Sequence, residues 1–111
     1  MKSWILIFKA LPANGMALFP FIILKNPSMK NDMLLINHER IHLRQQLELL
    51  ILPFYAFYLL NYLLNLLLYK DHHQAYLHIC FEKEAYANEQ NLSYLSNRKP
   101  FSWLKFFKKL N

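Results

Sequence analysis

The chain has 111 residues, enough for one domain, so we predict a single domain over 1–111. Hydrophobic residues make up 55% of it, and one glycine with five prolines argues against both disorder and a turn-rich all-β fold. The net charge is +6, but no motif of a nucleic-acid-binding module is present, so we expect membrane contact and no nucleic-acid partner.

The N-terminal region predicts a short β segment. Residues 4–11 are mostly apolar and fit a strand or a short helix; the apolar run is too short for the hydrophobic part of a signal peptide, so no cleavable signal peptide is evident. A turn signal follows at 12–15, and then a β-rich run at 16–24 that contains Pro20. Because proline lacks the N–H of a central strand, we predict an edge strand or an extended segment here.

Three long helices are predicted in the rest of the chain. The first covers about 32–52, and Pro53 should end or kink it. The second covers 53–69 and the third about 72–95. Polar residues able to cap the first and third helices precede them, namely Asn31, Asp32 and Asp71. We therefore predict a mainly α fold, a small helical bundle of three main helices plus a C-terminal amphipathic helix, with a short N-terminal β segment.

Two segments indicate contact with a membrane. Residues 49–69 carry no charge over 21 positions, long enough to cross a hydrocarbon core of about 30 Å, although the core helix of a small bundle has the same composition. Residues 101–110 form a basic amphipathic tail with lysines on one side and aromatic residues on the other. This pattern is typical of an interfacial helix, and docking of its apolar side on the domain explains it equally well. The expected location is therefore membrane-associated or cytoplasmic.

The run His38-Glu39-Arg40-Ile41-His42 is the most specific feature of the sequence. Residues four apart share one face of a helix, so both imidazoles can bind one Zn²⁺ at about 2.0–2.1 Å. Glu39 is the candidate catalytic residue, because it can take a proton from the metal-bound water and pass it to a leaving amine. The alternative is a polar surface patch that matches the motif by chance.

A catalytic zinc usually has three protein ligands, so a third ligand is needed. Candidates lie in the polar segment 81–89, where Glu82, Tyr86 and Glu89 share one face of the predicted helix. Glu84 points elsewhere, and we expect it to contact a neighbouring lysine or solvent.

Several other polar side chains have two interpretations. Gln45 and Gln46 follow the second histidine by one turn and could hold its imidazole or be exposed. His78 lies one turn before the acidic segment and could be an alternative ligand, or line the site or the core. Tyr76 and Tyr86 could donate to a developing oxyanion or belong to the core.

The two motif segments resemble those of the gluzincin metallopeptidases, in which His-Glu-x-x-His is followed by a helix with a glutamate ligand, often within Glu-x-x-small-Asp. The run Glu82-Lys83-Glu84-Ala85-Tyr86 matches at the glutamate and the small residue, which places the ligand at Glu82. Tyr86 stands where the family has an aspartate that orients a ligand histidine; Glu89 or Asn88 could take this role. The resemblance also implies an edge strand that binds peptide by strand addition, for which 18–25 is suitably placed.

The resemblance implies a zinc-dependent metallopeptidase that hydrolyses peptide or protein substrates. His38, His42 and Glu82 would hold the ion, with Glu39 as general base and then acid. The alternative is a non-catalytic metal-binding or membrane-associated interaction protein that retains the motif. The zinc hypothesis requires a break near Pro53, because an unbroken helix from 32 to 69 would separate the histidines from the glutamate.

Overall fold

A computed structural model describes residues 4–107, and its first part is a three-stranded sheet. The strands are β1 (Trp4–Ile7), β2 (Gly15–Leu18) and β3 (Phe21–Leu24), in the order β1-β3-β2. β1 runs parallel to β3, and β2 runs antiparallel to it. Apolar side chains of the sheet pack against the first long helix in a cluster made of Ala17, Ile22, Leu24, Ile36 and Leu43. The sheet therefore lies directly beside the helix that carries the histidine motif.

The sheet differs from the single edge segment that the sequence predicted. Pro20 lies in the turn between β2 and β3, where its missing N–H removes no hydrogen bond from the ladder, and the Phe19–Pro20 peptide bond is cis. The run 16–24 therefore forms two strands. The prediction of an edge strand over 18–25 is wrong, because β3 is the central strand and β2 is the edge strand.

The remaining described residues are mainly helical, as predicted. The helices are α1 (Met33–Glu48), α2 (Leu52–Tyr69), α3 (His72–Leu77), α4 (Cys80–Asn88), α5 (Tyr94–Asn97) and α6 (Leu104–Phe107), with a 3₁₀ helix at Pro27–Asn31. The Asp32 side chain accepts a hydrogen bond from the Leu35 N–H, and the Asp71 side chain accepts one from the Gln74 N–H. Both aspartates thus cap their helices by satisfying a first-turn donor.

The chain breaks between α1 and α2, as the zinc hypothesis requires. Leu50 and Ile51 have φ angles of 61° and 67°, in the left-handed region that ends a right-handed helix. Pro53 lies in the first turn of α2, where a missing N–H removes no helical bond. α1 ends at Glu48, four residues before the predicted boundary.

The predicted helix over 72–95 is wrong as a continuous element. α3 ends at Leu77, and Ile79 has an extended backbone and is fully buried. The N–H of Cys80 donates to the Asn61 side chain at 2.9 Å, so a contact with α2 replaces a hydrogen bond within the helix. The chain therefore changes direction at 78–79, and α4 begins on a new axis.

The C-terminal tail is helical only at α6 within the described residues; the rest of the predicted helix, 108–110, lies outside them. Trp103 and Phe106 pack against a second apolar cluster that contains Phe54, Ile79 and Phe81. Part of the apolar side of the tail is therefore docked on the domain.

Candidate metal centre

Three predicted ligands come together between α1 and α4. The Nε2 atoms of His38 and His42 are 3.2 Å apart, and each lies 3.1 Å from Oε1 of Glu82. The three residues are buried, with 4–5% of their surface exposed. Since the histidines lie one turn apart on α1 and Glu82 is in the first turn of α4, the two helices alone define this cluster. The arrangement could hold a metal ion.

The other nitrogen of each imidazole faces an acceptor. Nδ1 of His38 is 2.8 Å from Oε1 of Glu89, and a carboxylate can only accept. Nδ1 of His42 is 2.8 Å from Oε1 of Gln45, whose amide nitrogen donates to the Phe81 carbonyl and to Glu84. With Nδ1 as the donor in both bonds, the Nε2 atom of each ring faces the cluster. Two imidazole nitrogens and a carboxylate oxygen directed at one point could hold a metal ion.

The size of the cluster fits a small divalent ion. A point in the plane of the three ligand atoms lies roughly 1.8 Å from each, while Zn–N and Zn–O distances are about 2.0–2.2 Å. The three atoms of His38, His42 and Glu82 are therefore spaced suitably to hold an ion of this size. Two nitrogen ligands and one oxygen ligand match the donor set of catalytic zinc.

Electrostatics at the cluster favour positive charge. Burial by itself lowers the pKa of His42, but the Glu82 carboxylate raises it to about 9. Burial raises the pKa of Glu82, but the two histidines hold it well below its usual range. The Tyr58 hydroxyl donates to Oε2 of Glu82 at 2.5 Å, which leaves Oε1 directed at the histidines.

Glu39 lies beside the three ligands and is 6% exposed. Burial raises its pKa above the usual value, while the two histidines act in the opposite direction. A side chain at Gly15 would meet the Glu39 carboxylate, because a Cβ there would lie 3.3 Å from Oε2. The glycine thus lets β2 approach the carboxylate closely.

A cavity of about 240 Å³ joins the three ligands, Glu39 and the edge strand. Its walls also include Tyr58, Tyr76 and the β2 residues Gly15, Met16 and Ala17. A second opening of about 380 Å³ reaches His38 and Glu39 from the side of Tyr76 and Tyr86. The hydroxyls of these two tyrosines are 2.9 Å apart, and the Tyr86 ring packs edge-on against His38 with a centroid distance of 4.5 Å.

The remaining predicted residues have different positions. The Gln46 amide donates to the Ala17 carbonyl and accepts from the Phe19 N–H, and so joins α1 to β2 and the turn that follows it. His78 lies away from the cluster, stacked on Tyr69 with its Nδ1 2.8 Å from the Gln74 carbonyl. The interpretation of His78 as a ligand assumed one continuous helix, and the break at 78–79 removes it.

Glu84 forms a second buried network that the sequence did not reveal, and its predicted contact with solvent is wrong. Its side chain is fully buried, and it accepts hydrogen bonds from Arg98 at 2.5 and 3.1 Å and from Tyr94 at 2.6 Å. Burial raises its pKa, but these bonds and one from Gln45 lower it below its usual value. Arg98 also donates to both oxygens of Glu48, at 2.6 and 3.0 Å. An arginine fourteen residues beyond Glu84 gives no local signal of this pairing.

A scan against protein-family models, a search of curated proteins and a search of solved structures gave no match to this chain.

Proposed function

We propose that this protein is a zinc-dependent metallopeptidase that hydrolyses peptide bonds. The observation that carries the proposal is the convergence of two imidazole nitrogens and one carboxylate oxygen, all within 3.2 Å of one another, on a cavity lined by Glu39. His38, His42 and Glu82 would hold the ion. Bound zinc supplies a Lewis acid that polarises a carbonyl and lowers the pKa of water towards ~7.

Glu39 is proposed as the proton carrier. Its carboxylate lines the same cavity as the ligands, and burial raises its pKa above the usual value, which suits a group that first accepts a proton and then donates it to a leaving amine. The resemblance of the two motifs to those of gluzincin peptidases supports the same role. Glu89 lies 2.8 Å from Nδ1 of His38, where it can take the role that the resemblance gives to the family aspartate, and this supports the proposal.

The edge strand β2 is the proposed binding site for substrate backbone. Met16 pairs with Ile23 of β3. In an antiparallel pair only every second residue bonds to the partner strand, so the backbone groups of Gly15 and Ala17 are directed away from β3. The Ala17 carbonyl is already bonded to Gln46 and Tyr55. The N–H of Ala17 and both backbone groups of Gly15 are thus the groups directed towards an added strand.

The test compares zinc-loaded wild type with Glu39→Gln on an unfolded protein such as casein. We expect the variant to keep zinc and to lose at least about 100-fold in rate, the usual effect of removing a general base. Asp71→Asn is the matched control, because it makes the same carboxylate-to-amide change at an exposed helix cap where asparagine serves equally well.

Unchanged hydrolysis in the Glu39→Gln preparation would contradict the catalytic proposal and identify a contaminating peptidase. Stoichiometric zinc in a wild type that cleaves no protein or peptide would favour the second candidate, a non-catalytic metal-binding protein. The ligand geometry favours that candidate over a chance match of the motif.

A further inference from the structure

Helix α2 has its polar side chains inside and its apolar side chains outside. Among the described residues, Asn61 and Asn65 are buried, and each has a partner: Asn61 accepts from the Cys80 N–H, and Asn65 donates to the Ala75 carbonyl. Large apolar residues occupy the outward side, with Leu67 75% and Leu68 65% exposed. A helix on the surface of a water-soluble bundle has the opposite polarity.

The outward side is long and continuous. We call it the leucine face: Phe57, Leu59, Leu60, Leu63, Leu64, Leu67 and Leu68, each at least 46% exposed. It continues into an apolar groove of about 250 Å³ whose other wall contains Trp103, Leu104 and Phe107. α2 is the one helix of residues 4–107 that is long and apolar enough to cross a membrane, and only 17% of it is buried. Burial in a protein core therefore does not explain its composition.

The exposed charge of the chain is mainly positive, which favours an anionic partner. All seven acidic residues lie in the described range, and five of them belong to the metal centre or the Arg98 network, where they are buried or paired. Asp32 and Asp71 are the two exposed ones. Apart from the buried Arg98, the sequence from 90 onwards has four basic residues, all lysines, and no acidic one. Lys105 lies between the groove residues Leu104 and Phe107 in the sequence.

We propose that the leucine face and its groove contact the hydrocarbon of an anionic lipid bilayer, while basic residues of the C-terminal segment contact the headgroups. An 18-residue helix is about 27 Å long, close to the thickness of a hydrocarbon core. A second copy of the chain would bring another net charge of +6 to the same surface, whereas anionic headgroups complement it. Lipid is therefore favoured over self-association.

The experiment measures flotation of the purified full chain with vesicles. One set is pure phosphatidylcholine, and the other is an equal mixture of phosphatidylcholine and phosphatidylglycerol. The test variant replaces Leu59, Leu63 and Leu67 with glutamine. The matched control makes the same change to glutamine at Met33, Leu47 and Leu92, which are exposed apolar residues outside the leucine face. Zinc content and far-UV circular dichroism establish that each variant is folded.

Wild type and control are expected to float, more completely with phosphatidylglycerol, whereas the partition coefficient of the test variant falls by at least ~100-fold. Equal flotation of both variants would overturn the assignment of the leucine face. Equal flotation on the two lipid mixtures would overturn the electrostatic part. A wild type that does not float but forms a dimer that the test variant abolishes would show that a second copy is the partner. None of these results depends on peptidase activity.

Discussion

Replacing Arg98 with methionine removes the cation from the buried network behind the metal centre. The Arg98 side chain is 1% exposed and that of Glu84 is 0% exposed. Arg98 donates four charge-assisted hydrogen bonds, two to Glu84 and two to Glu48. Methionine keeps much of the aliphatic volume, so the change mainly removes charge and donors.

The expected loss follows from the desolvation of the carboxylates. Tyr94 and Gln45 still donate to Glu84, but they are neutral and leave its charge without compensation. Removal of one partner from a buried ion pair typically costs about 3–5 kcal/mol, whereas a domain of this kind is stable by about 5–15 kcal/mol. The methionine variant should therefore lose a large fraction of its free energy of unfolding.

The assay is urea denaturation in mild detergent, followed by circular dichroism. Lys99→Met is the control, because Lys99 is exposed and its replacement should change stability by no more than ~0.5 kcal/mol. Adding Glu84→Gln to Arg98→Met should recover part of the loss, since no buried charge then remains at position 84. A loss below about 1 kcal/mol for Arg98→Met, or equal losses at positions 98 and 99, would refute the reasoning.

Three further predictions concern the metal centre and the break between α1 and α2. Glu89→Ala should weaken zinc binding about 10–100-fold in chelator competition, because His38 loses its acceptor, and Glu89→Gln should weaken it less. Equal zinc affinities of wild type and Glu89→Ala would exclude this role for Glu89. Removal of zinc by a chelator should lower the melting temperature, and free zinc at about 100 times its dissociation constant should add about 2.7 kcal/mol of stability. An equal gain of stability on adding zinc to a His42→Ala variant would place the bound metal elsewhere. Leu50→Gly should raise the free energy of unfolding by roughly 0.5–1 kcal/mol, because Leu50 has a φ of 61°, which glycine adopts more easily, and is 79% exposed, so little packing is lost. A lower stability of this variant in urea would count against strain at that turn.

The parts of this fold that were predictable depend on local chemistry. The spacing of His38 and His42 fixes a shared helical face, and Asp32 and Asp71 cap helices through bonds three residues away. Pro53 indicated a break between α1 and α2 because a proline ring is tolerated only in the first turn of a helix. Each signal lies within one turn of its effect, and each can be read without knowledge of the tertiary structure.

The parts that were missed depend on contacts between distant residues. The break before α4 exists because Asn61 binds the Cys80 N–H from nineteen residues away, and the helical pattern of 72–95 contains no trace of it. Glu84 was expected to contact a neighbouring lysine or solvent. Its partner Arg98 lies fourteen residues away, beyond another helix, and no local pattern connects the two.

The amide of Gln45 connects the predicted metal site to the buried network around Arg98. Its oxygen accepts from His42 while its nitrogen donates to Glu84, so the orientation of a ligand imidazole depends on a carboxylate that Arg98 neutralises. Arg98 begins the C-terminal segment, in which Trp103 and Phe106 pack on the second apolar cluster beside the leucine face. Burying Glu82 and Glu84 in these networks also removes two carboxylates from the surface. The contacts among Gln45, Glu84 and Arg98 therefore connect a predicted metal ligand to the segment next to the proposed lipid surface.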